Sequence, residues 1–138
     1  MNIYSERIND MTAFLGTAFI WMFGAWDISL MILVTTMALD YVTGITRGYI
    51  HKQLSSEYGF RGLAKKLTIF YVLILAVLID RLIGQGWVFR TLVCFWYTSN
   101  EGASVLENAA AIGLPIPSKL VDALAQLKEG NKKYNEAK

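Results

Sequence analysis

Charged residues, cysteine and histidine are all scarce in this 138-residue sequence. Charged residues make up 17% of it and hydrophobic residues 54%, whereas soluble domains carry about 25% charged residues. The single cysteine, Cys94, excludes an intramolecular disulfide framework and a cysteine-based zinc site. The single histidine, His51, excludes a multi-histidine metal centre within one chain, and a formal net charge of +2 gives no basis for nucleic-acid binding. The composition therefore favours a small integral membrane protein.

Sequence signatures of catalysis are also missing. There is no G-x-x-x-x-G-K phosphate loop, no dinucleotide-binding fingerprint and no serine in a nucleophile-elbow context. Glu101 and Glu107 share a predicted helix face, but no partner base or substrate pocket is evident for them. The protein is therefore predicted to be non-enzymatic, with no catalytic residue, no cofactor and no metal site.

Long apolar segments dominate the rest of the sequence. They cover residues 8–26, 28–46, 67–89 and 91–114. A helix needs about 20 residues to cross the hydrocarbon core of a bilayer, and the first three segments can reach that length. The first two segments meet at Trp26 and Asp27, which predicts a tight helical hairpin.

The fourth segment differs because it contains Glu101 and Glu107. An acidic residue at the centre of a membrane helix costs about 2.5–3.5 kcal/mol, and each large apolar residue returns only about 0.3–0.6 kcal/mol. This segment would insert only against partner helices, with protonated carboxyl groups or beside water; otherwise it would lie on the membrane surface. The prediction is an all-α integral membrane protein with three to four transmembrane helices.

The distribution of lysine and arginine bears on the number of spans. Four spans with both termini inside place 11 of the 13 basic residues on the cytoplasmic side, whereas three spans place 6 inside and 7 outside. The count favours four spans within a transmembrane helical domain at 1–118. Residues 119–138 are predicted to form a short cytoplasmic amphipathic helix, with Leu120, Leu124 and Leu127 at helical spacing, and a polar tail.

Polar residues inside the second segment form a stripe. The spacing of Asp40, Thr43 and Arg47 places them on one helix face. This pattern indicates a buried polar seam used for helix–helix contact or to admit water; the alternative is that Asp40 reaches the headgroups from a helix end. Asp80, late in the third segment, is interpreted equally well as a solvated helix end.

Polar residues of the fourth segment fall within a helical sector about 120° wide. They are Tyr97, Asn100, Glu101, Ser104, Glu107 and Asn108. Such a stripe is expensive in lipid, which favours self-association or contact with water. Gly44 and Gly48 of the second segment form a small-xxx-small pair that permits close helix packing.

Three ordered stretches of the chain together match the pattern of a known family. They are Asp40 to Gly44 with Gly48; Ser55 and Ser56 with Gly59, Gly62, Lys65 and Lys66; and Asn100, Glu101, Ser104, Glu107, Asn108, Gly113, Pro115 and Pro117. This combination, running from about residue 28 to residue 127, resembles the toxin-secretion/phage-lysis holin family. The resemblance implies a multi-pass protein of the bacterial inner membrane that accumulates, oligomerises and opens lesions.

The resemblance also implies partners, and the polar stripes and glycine spacing supply the candidate site residues. The partners are other copies of the chain, the lipid bilayer, and a phage endolysin or a toxin as passing cargo. Gly44 and Gly48 are assigned to helix packing. The candidates for lining the oligomer or the lesion are the polar residues of the two stripes: Asp40, Thr43, Arg47, Tyr97, Asn100, Glu101, Ser104, Glu107 and Asn108.

Two other functions remain open from the sequence. Asp40, Glu101 and Glu107 could form a proton or cation path in a small ion channel or transporter subunit. The basic loop at 47–66 and the C-terminal helix could instead recruit a cytoplasmic partner to a membrane adaptor. A holin releases a co-expressed large protein, a selective channel passes ions alone, and an adaptor does neither.

Overall fold

The computed structural model describes residues 3–84, 86–124 and 126, and within these ranges the chain is helical and contains no strand. Four long helices follow one another: α1 (Ile3–Phe23), α2 (Ile28–Ile50), α3 (Ser56–Ile83) and α4 (Val88–Ala111). A short fifth helix covers residues 118–124. The all-α class predicted from the sequence is confirmed.

Short polar side chains and a glycine set several helix ends. The Asp27 side chain caps α2 by accepting a hydrogen bond from the Leu30 amide at 3.0 Å. Ser55 caps α3 in the same way, accepting from the Tyr58 amide at 3.1 Å. Each cap satisfies an amide that has no partner within the first helical turn. Gly84 ends α3 in the left-handed conformation, with a φ of 73°, which glycine adopts at little cost.

The predicted basic loop at 47–66 is mostly helical. α2 and α3 both extend into it, so that only residues 51–55 lie outside a helix. The Ser55 cap starts α3 early, and the lysine, arginine and glutamate residues of this region are good helix formers. Arg47 and Lys66 consequently lie on helices, where their side chains can face other helices.

The boundaries differ at the other end of the bundle as well. The third span was expected over 67–89, but α3 ends at Ile83 and α4 begins at Val88. The apolar run that resumes at Leu82 is interrupted by Gly84, so its later part belongs to the connection and to the start of α4.

The helix at the centre of the bundle is α4, which packs most extensively along α2 and also along α3. The core cluster where these helices meet consists of Leu30, Leu33, Met37, Ile69, Leu73 and Cys94. The first helix packs against α3, and α1 and α2, both fully described, do not pack along each other. The predicted tight hairpin is therefore wrong, although its connection is short. Gly24 turns the chain with a φ of 78°, and the Arg90 side chain of α4 occupies the corner.

The outer surface of the bundle is strongly apolar. None of the residues of α1, all of which are described, is buried, and Phe14, Phe60 and Leu82 are 72%, 72% and 87% exposed. By length and composition, α2 and α3 are able to cross a membrane, and no other helix in the described ranges meets the same criterion. Apolar exposure on this scale indicates contact with lipid or with other proteins. The count of three to four spans stays a prediction.

The short helix at 118–124 turns back along α4. Leu124 reaches Gly102, where an added Cβ would lie 3.0 Å from the leucine Cδ2 atom. The two helices border an apolar groove of about 340 Å³. The cytoplasmic location predicted for 119–138 stays a prediction, and Leu127 and the polar tail lie outside the described residues.

Candidate functional site

A cluster of three charges joins α2, α3 and α4 inside the bundle. The Lys66 Nζ atom donates to Asp40 Oδ2 at 2.7 Å and to the Glu101 carboxylate. The side chains of Lys66, Asp40 and Glu101 are only 11%, 19% and 14% exposed. A buried charge without a partner is strongly destabilising, so the pairing makes this burial possible. Because two carboxylates share one ammonium, this Lys66 cluster has a formal charge of −1 when both carboxylates are ionised.

The Lys66 cluster lies well inside the bundle. Asp40 is ten residues before the end of α2, Lys66 ten residues after the start of α3, and Glu101 ten residues before the end of α4. Ten helical residues correspond to about 15 Å. The three charges are therefore at one level, about 15 Å from the end at which residues 51–55 connect α2 to α3.

Asn108 of α4 extends these polar contacts toward that end. Its Nδ2 atom donates to Asp40 Oδ1 and to Thr43 Oγ1, each at 3.2 Å. Its Oδ1 atom accepts from Arg47 Nη1 at 3.4 Å. The polar face of α2 is thus turned toward α4. We call the Lys66 cluster together with Thr43, Arg47 and Asn108 the polar seam.

A cavity of about 520 Å³ lies beside the polar seam, between α2, α3 and α4. Beyond the seam residues themselves, its lining includes Tyr41, Tyr58, Arg61, Lys65 and Ser104. A cavity of this size with several polar groups on its wall has room and partners for water.

A second polar network lies at the opposite end of the bundle. Arg90 of α4 is 1% exposed and donates to the Phe23 and Ala25 carbonyl oxygens, each at 2.7 Å. It also donates to both Asp27 carboxylate oxygens, at 2.7 and 3.2 Å. These hydrogen bonds hold the pKa of Asp27 below its usual value of 3.8. This Arg90 network ties α4 to the connection between α1 and α2.

Asp80 of α3 lies at the same end. Its carboxylate accepts from the backbone amides of Phe89 at 2.9 Å and Arg90 at 2.8 Å, and the residue is 2% exposed. Trp87, the N-cap residue of α4, makes no side-chain cap. The interpretation of Asp80 as a solvated helix end is wrong, because the first amides of α4 need an acceptor and Asp80 supplies it from another helix.

Most of the candidates predicted from the sequence gather around the cavity. They are Asp40, Thr43, Arg47, Glu101, Ser104 and Asn108. Gly44 and Gly48 lie against Tyr58 at the start of α3. An added Cβ would be 3.9 Å from the Tyr58 hydroxyl at Gly44 and 3.6 Å from the Tyr58 ring at Gly48. Both glycines thus face the start of α3 at ordinary contact distance, and their role in helix packing stays a prediction.

Three candidates lie elsewhere. Tyr97 packs against the apolar core cluster, and Asn100 is half-buried outside the cavity lining. Glu107 is exposed and borders the groove beside the C-terminal helix. Since α2 and α3 cover only part of the predicted polar sector of α4, Glu101 and Glu107 end on different sides of the helix.

Sequence patterns alone did not identify Lys66, Arg90 and Asp27 as members of polar networks. The count of basic residues treats Lys66 as part of the 47–66 loop, although Lys66 directly precedes the charge-free run at 67–79. A cation beside an apolar run, with unpaired acids on other predicted spans, was the available signal. The signal for Arg90 was weaker, since only its positive charge, opposite to the negative charge of Asp27, suggested that the two residues could pair.

Two helices able to cross a membrane, a buried polar seam and an apolar exterior define a small helical membrane protein. A model of the bacteriophage holin family matches residues 17–129, and the chain belongs to this family. The resemblance drawn from the sequence motifs is thereby confirmed. The family is one of non-enzymatic membrane proteins.

Similar proteins come from bacteria and from a phage. A 14.9 kDa protein of the nagH 3′ region of Clostridium perfringens is 53% identical over 86% of this chain and 89% of its own length. Protein YqxH of Bacillus subtilis is 34% identical over 80% of this chain and 78% of its own. The probable holin of Bacillus phage phi105 is 32% identical over 71% and 73%, respectively. No solved structure matches the chain.

Proposed function

We propose that this protein is a holin that oligomerises in the bacterial cytoplasmic membrane and opens lesions through which an endolysin or a toxin crosses. Family membership supports the holin role. The observation that carries the lesion mechanism is the distribution of polarity. Charged groups of α2, α3 and α4 face a shared cavity, while the outside of the bundle is apolar.

Charge pairing inside the protomer accounts for accumulation without damage to the membrane. An isolated α4 is costly to insert because of its two glutamates. Pairing Glu101 with Lys66 inside the bundle lowers that cost, so α4 inserts together with α2 and α3. Glu107 lies closer to the end of α4, near the headgroups. The protomer then crosses the membrane four times with both termini in the cytoplasm, as the basic residues favour.

The lesion opens, in this proposal, when the polar seam parts and water replaces the ion pairs. The net negative charge of the Lys66 cluster is better solvated by water than by a low-dielectric interior. The adjoining cavity of about 520 Å³ is the first volume that water can occupy. Copies with opened seams then join their wetted surfaces, and Asp40, Glu101 and Asn108 line the lesion.

Contacts between copies are assigned mainly to α1. Within the protomer, α1 packs along α3 and touches the core cluster near its C-terminal end. Phe14, Ile20 and Trp21 are more than half exposed. Gly16 has open space around it, which lets a neighbouring helix approach closely. The rest of the α1 surface is then covered by lipid.

Replacing Lys66 by methionine tests whether the polar seam controls the lesion. The variant leaves Asp40 and Glu101 side by side without a counter-charge, so the seam should part more easily. We expect dye entry and reporter-enzyme release to begin earlier than in the wild type at matched membrane levels. Lys119→Met is the control, because Lys119 is exposed, lies outside the cavity lining and makes no ion pair in the described ranges; dye entry and enzyme release should begin at the same time as in the wild type.

A triple variant separates control of the lesion from misfolding. Asp40→Asn, Lys66→Met and Glu101→Gln together remove every charge of the Lys66 cluster, so the seam can stay closed without ion pairs. Dye entry and reporter-enzyme release should begin later in this variant than in the wild type. Identical onset in all variants would contradict the role of the seam. Ion flux without enzyme release would instead indicate a channel, and the absence of both would indicate an adaptor.

A further inference from the structure

The cavity beside the polar seam has a cationic rim. Arg47 of α2 and Arg61 and Lys65 of α3 line the cavity and are exposed, whereas Lys66 is buried at its inner end. All three exposed residues lie between the Lys66 cluster and the connection at 51–55. The cavity therefore opens toward that end of the bundle, with positive charge at its mouth.

The acids near the cavity offset only part of the charge of this rim, because the Lys66 cluster has a formal charge of −1 and the rim has three cations. Asp40 and Glu101 are both bound to Lys66 at the inner end. Arg61 pairs with Glu57 at 2.6 Å on the exposed surface of the same helix. Such an exposed pair is weak, because water screens it and both side chains are flexible. Arg61 therefore remains available to a stronger anionic partner.

Two rim cations have no carboxylate partner in the described part of the chain. Arg47 donates only to the neutral Asn108 amide, at 3.4 Å, and Lys65 makes no ion pair there. Tyr41 and Tyr58 also line the cavity and bring hydroxyl groups. A guanidinium fork, an ammonium and hydroxyl donors around one opening are the groups that bind phosphate oxygens.

Arg47 and Arg61 of the rim lie at the depth of lipid headgroups, and Lys65, about 6 Å deeper along α3, reaches toward that level with its flexible side chain. Twenty residues separate Asp27 from Arg47, and twenty separate Arg61 from Arg81. Twenty helical residues rise about 30 Å, which matches the hydrocarbon thickness of a bilayer. If Asp27 and Arg81 are at one surface, Arg47 and Arg61 reach the other, and the distribution of basic residues assigns that surface to the cytoplasm.

We propose that this cavity binds the phosphate group of an anionic phospholipid from the cytoplasmic leaflet. Arg47 and Lys65 hold the phosphate oxygens, while the acyl chains lie along the exposed apolar side of α3, where Leu63 and Leu67 are about half exposed. Basic pockets between membrane helices on the cytoplasmic side are suited to such headgroups. The proposal rests on membrane insertion in the orientation given above and does not depend on lesion formation.

Two glycines keep space for this ligand. Gly59 and Gly62 line the cavity on α3, and an added Cβ at either would lie 3.6 Å from Tyr41. A methyl group could be accommodated there, but a longer side chain would fill the space between α3 and Tyr41. Gly62→Leu should therefore exclude the headgroup without altering the charge of the rim.

Thermal unfolding of the full chain in an uncharged detergent tests the site. Phosphatidylglycerol is titrated against phosphatidylcholine with the same acyl chains and against inorganic phosphate. We expect only phosphatidylglycerol to raise the Tm in a saturable way, since a ligand of the folded state stabilises it. An equal rise in the Tm with phosphatidylcholine would show that the headgroup is not selected. An equal rise with inorganic phosphate would identify a site for free anions. Either result overturns the proposal.

Charge-removing variants locate the binding. Arg47→Gln with Lys65→Gln should weaken the apparent affinity for phosphatidylglycerol about ten-fold, and Gly62→Leu should weaken it as well. The control, Arg7→Gln with Lys119→Gln, removes the same charge from exposed positions outside the cavity and should bind normally. Equal weakening in this control would show general charge attraction and overturn the site. Normal lipid binding by a chain that opens no lesion would separate this proposal from the proposed function.

Discussion

The two buried polar networks of this protein are built in different ways. Arg90 donates four hydrogen bonds, three of them at 2.7 Å, and its charge is balanced by Asp27. Lys66 instead lies between two carboxylates that come from two other helices. Its cluster carries a net negative charge and borders a cavity of about 520 Å³. The Arg90 network is balanced and closely packed, whereas the Lys66 cluster is unbalanced and has space beside it.

This difference indicates which part of the bundle is fixed and which part can open. Arg90 is bonded to backbone carbonyls of the α1–α2 connection, and a Cβ added at Gly24 would lie 2.9 Å from its Nε atom. The Lys66 cluster joins three helices only through side chains, which can change rotamer while the helices stay intact. Under the proposed function, α2, α3 and α4 would separate at the end that carries residues 51–55, while the Arg90 network holds their other ends together.

The largest effect is expected from replacing Arg90, which tests whether the Arg90 network fixes its end of the bundle. Arg90→Leu leaves the Asp27 carboxylate and two carbonyl groups without their partner. Because Asp27 is itself 40% exposed, the cost arises mainly from the lost hydrogen bonds of a charged donor, each worth about 1.5–3 kcal/mol. We expect a large fall in the Tm in detergent and in the amount of protein that accumulates in the membrane.

Arg81 provides the matched control for this change. It is exposed and lies over the rings of Trp21 and Trp87 at 5.5 and 5.9 Å, contacts worth about 0.5–1 kcal/mol each at exposed sites. Arg81→Leu should therefore lower the Tm much less than Arg90→Leu. Equal losses in the two variants would mean that the Arg90 network does not anchor the bundle.

The sequence predicts the helices well and their pairing poorly. Charge-free runs and turn residues locate four long helices, because burial in a membrane or a core requires apolar length. Helix periodicity also places Asp40, Thr43 and Arg47 on one face of α2, and the structure turns this face toward α4. What periodicity cannot supply is the rotation of one helix relative to another.

Lys66 and Glu107 show the limit most clearly. Glu101 and Glu107 both belong to the predicted polar face of α4, but of these two only Glu101 contacts Lys66, because α3 packs on that side of α4. The sequence assigns Lys66 to a loop. In the structure, the Ser55 side chain caps α3, and this helix begins before Lys66. Contacts between elements far apart in sequence decide these assignments, and no local pattern encodes them.

A smaller effect is expected from Asp80, which helps to fix the same end by capping α4. Asp80→Ala leaves two amides at the start of α4 without an acceptor, and loss of a helix cap costs about 1–2 kcal/mol. Asp80→Asn keeps one oxygen acceptor and should lose less. Thermal unfolding gives the ranking, and hydrogen exchange at Phe89 and Arg90 should accelerate in the alanine variant. Unchanged exchange at both amides would refute the capping role.

The smallest expected effect is the pH dependence of Asp27, which measures how much the ion pair adds to the Arg90 network. Its pKa is lowered in the folded protein, chiefly by the hydrogen bonds from Arg90. A lowered pKa means that the carboxylate stabilises the fold fully above the usual value of 3.8, and that this contribution is lost as the pH falls through the lower, folded-state pKa. Because the side chain is 40% exposed, solvent screening keeps the contribution below about 1 kcal/mol.

The comparison variant is Asp27→Asn, which keeps an oxygen to cap α2 but does not titrate. We expect the Tm difference between wild type and variant to be constant above about pH 5 and to shrink progressively below it. A difference that stays constant throughout the acid range would mean that the backbone carbonyls alone hold Arg90 in place.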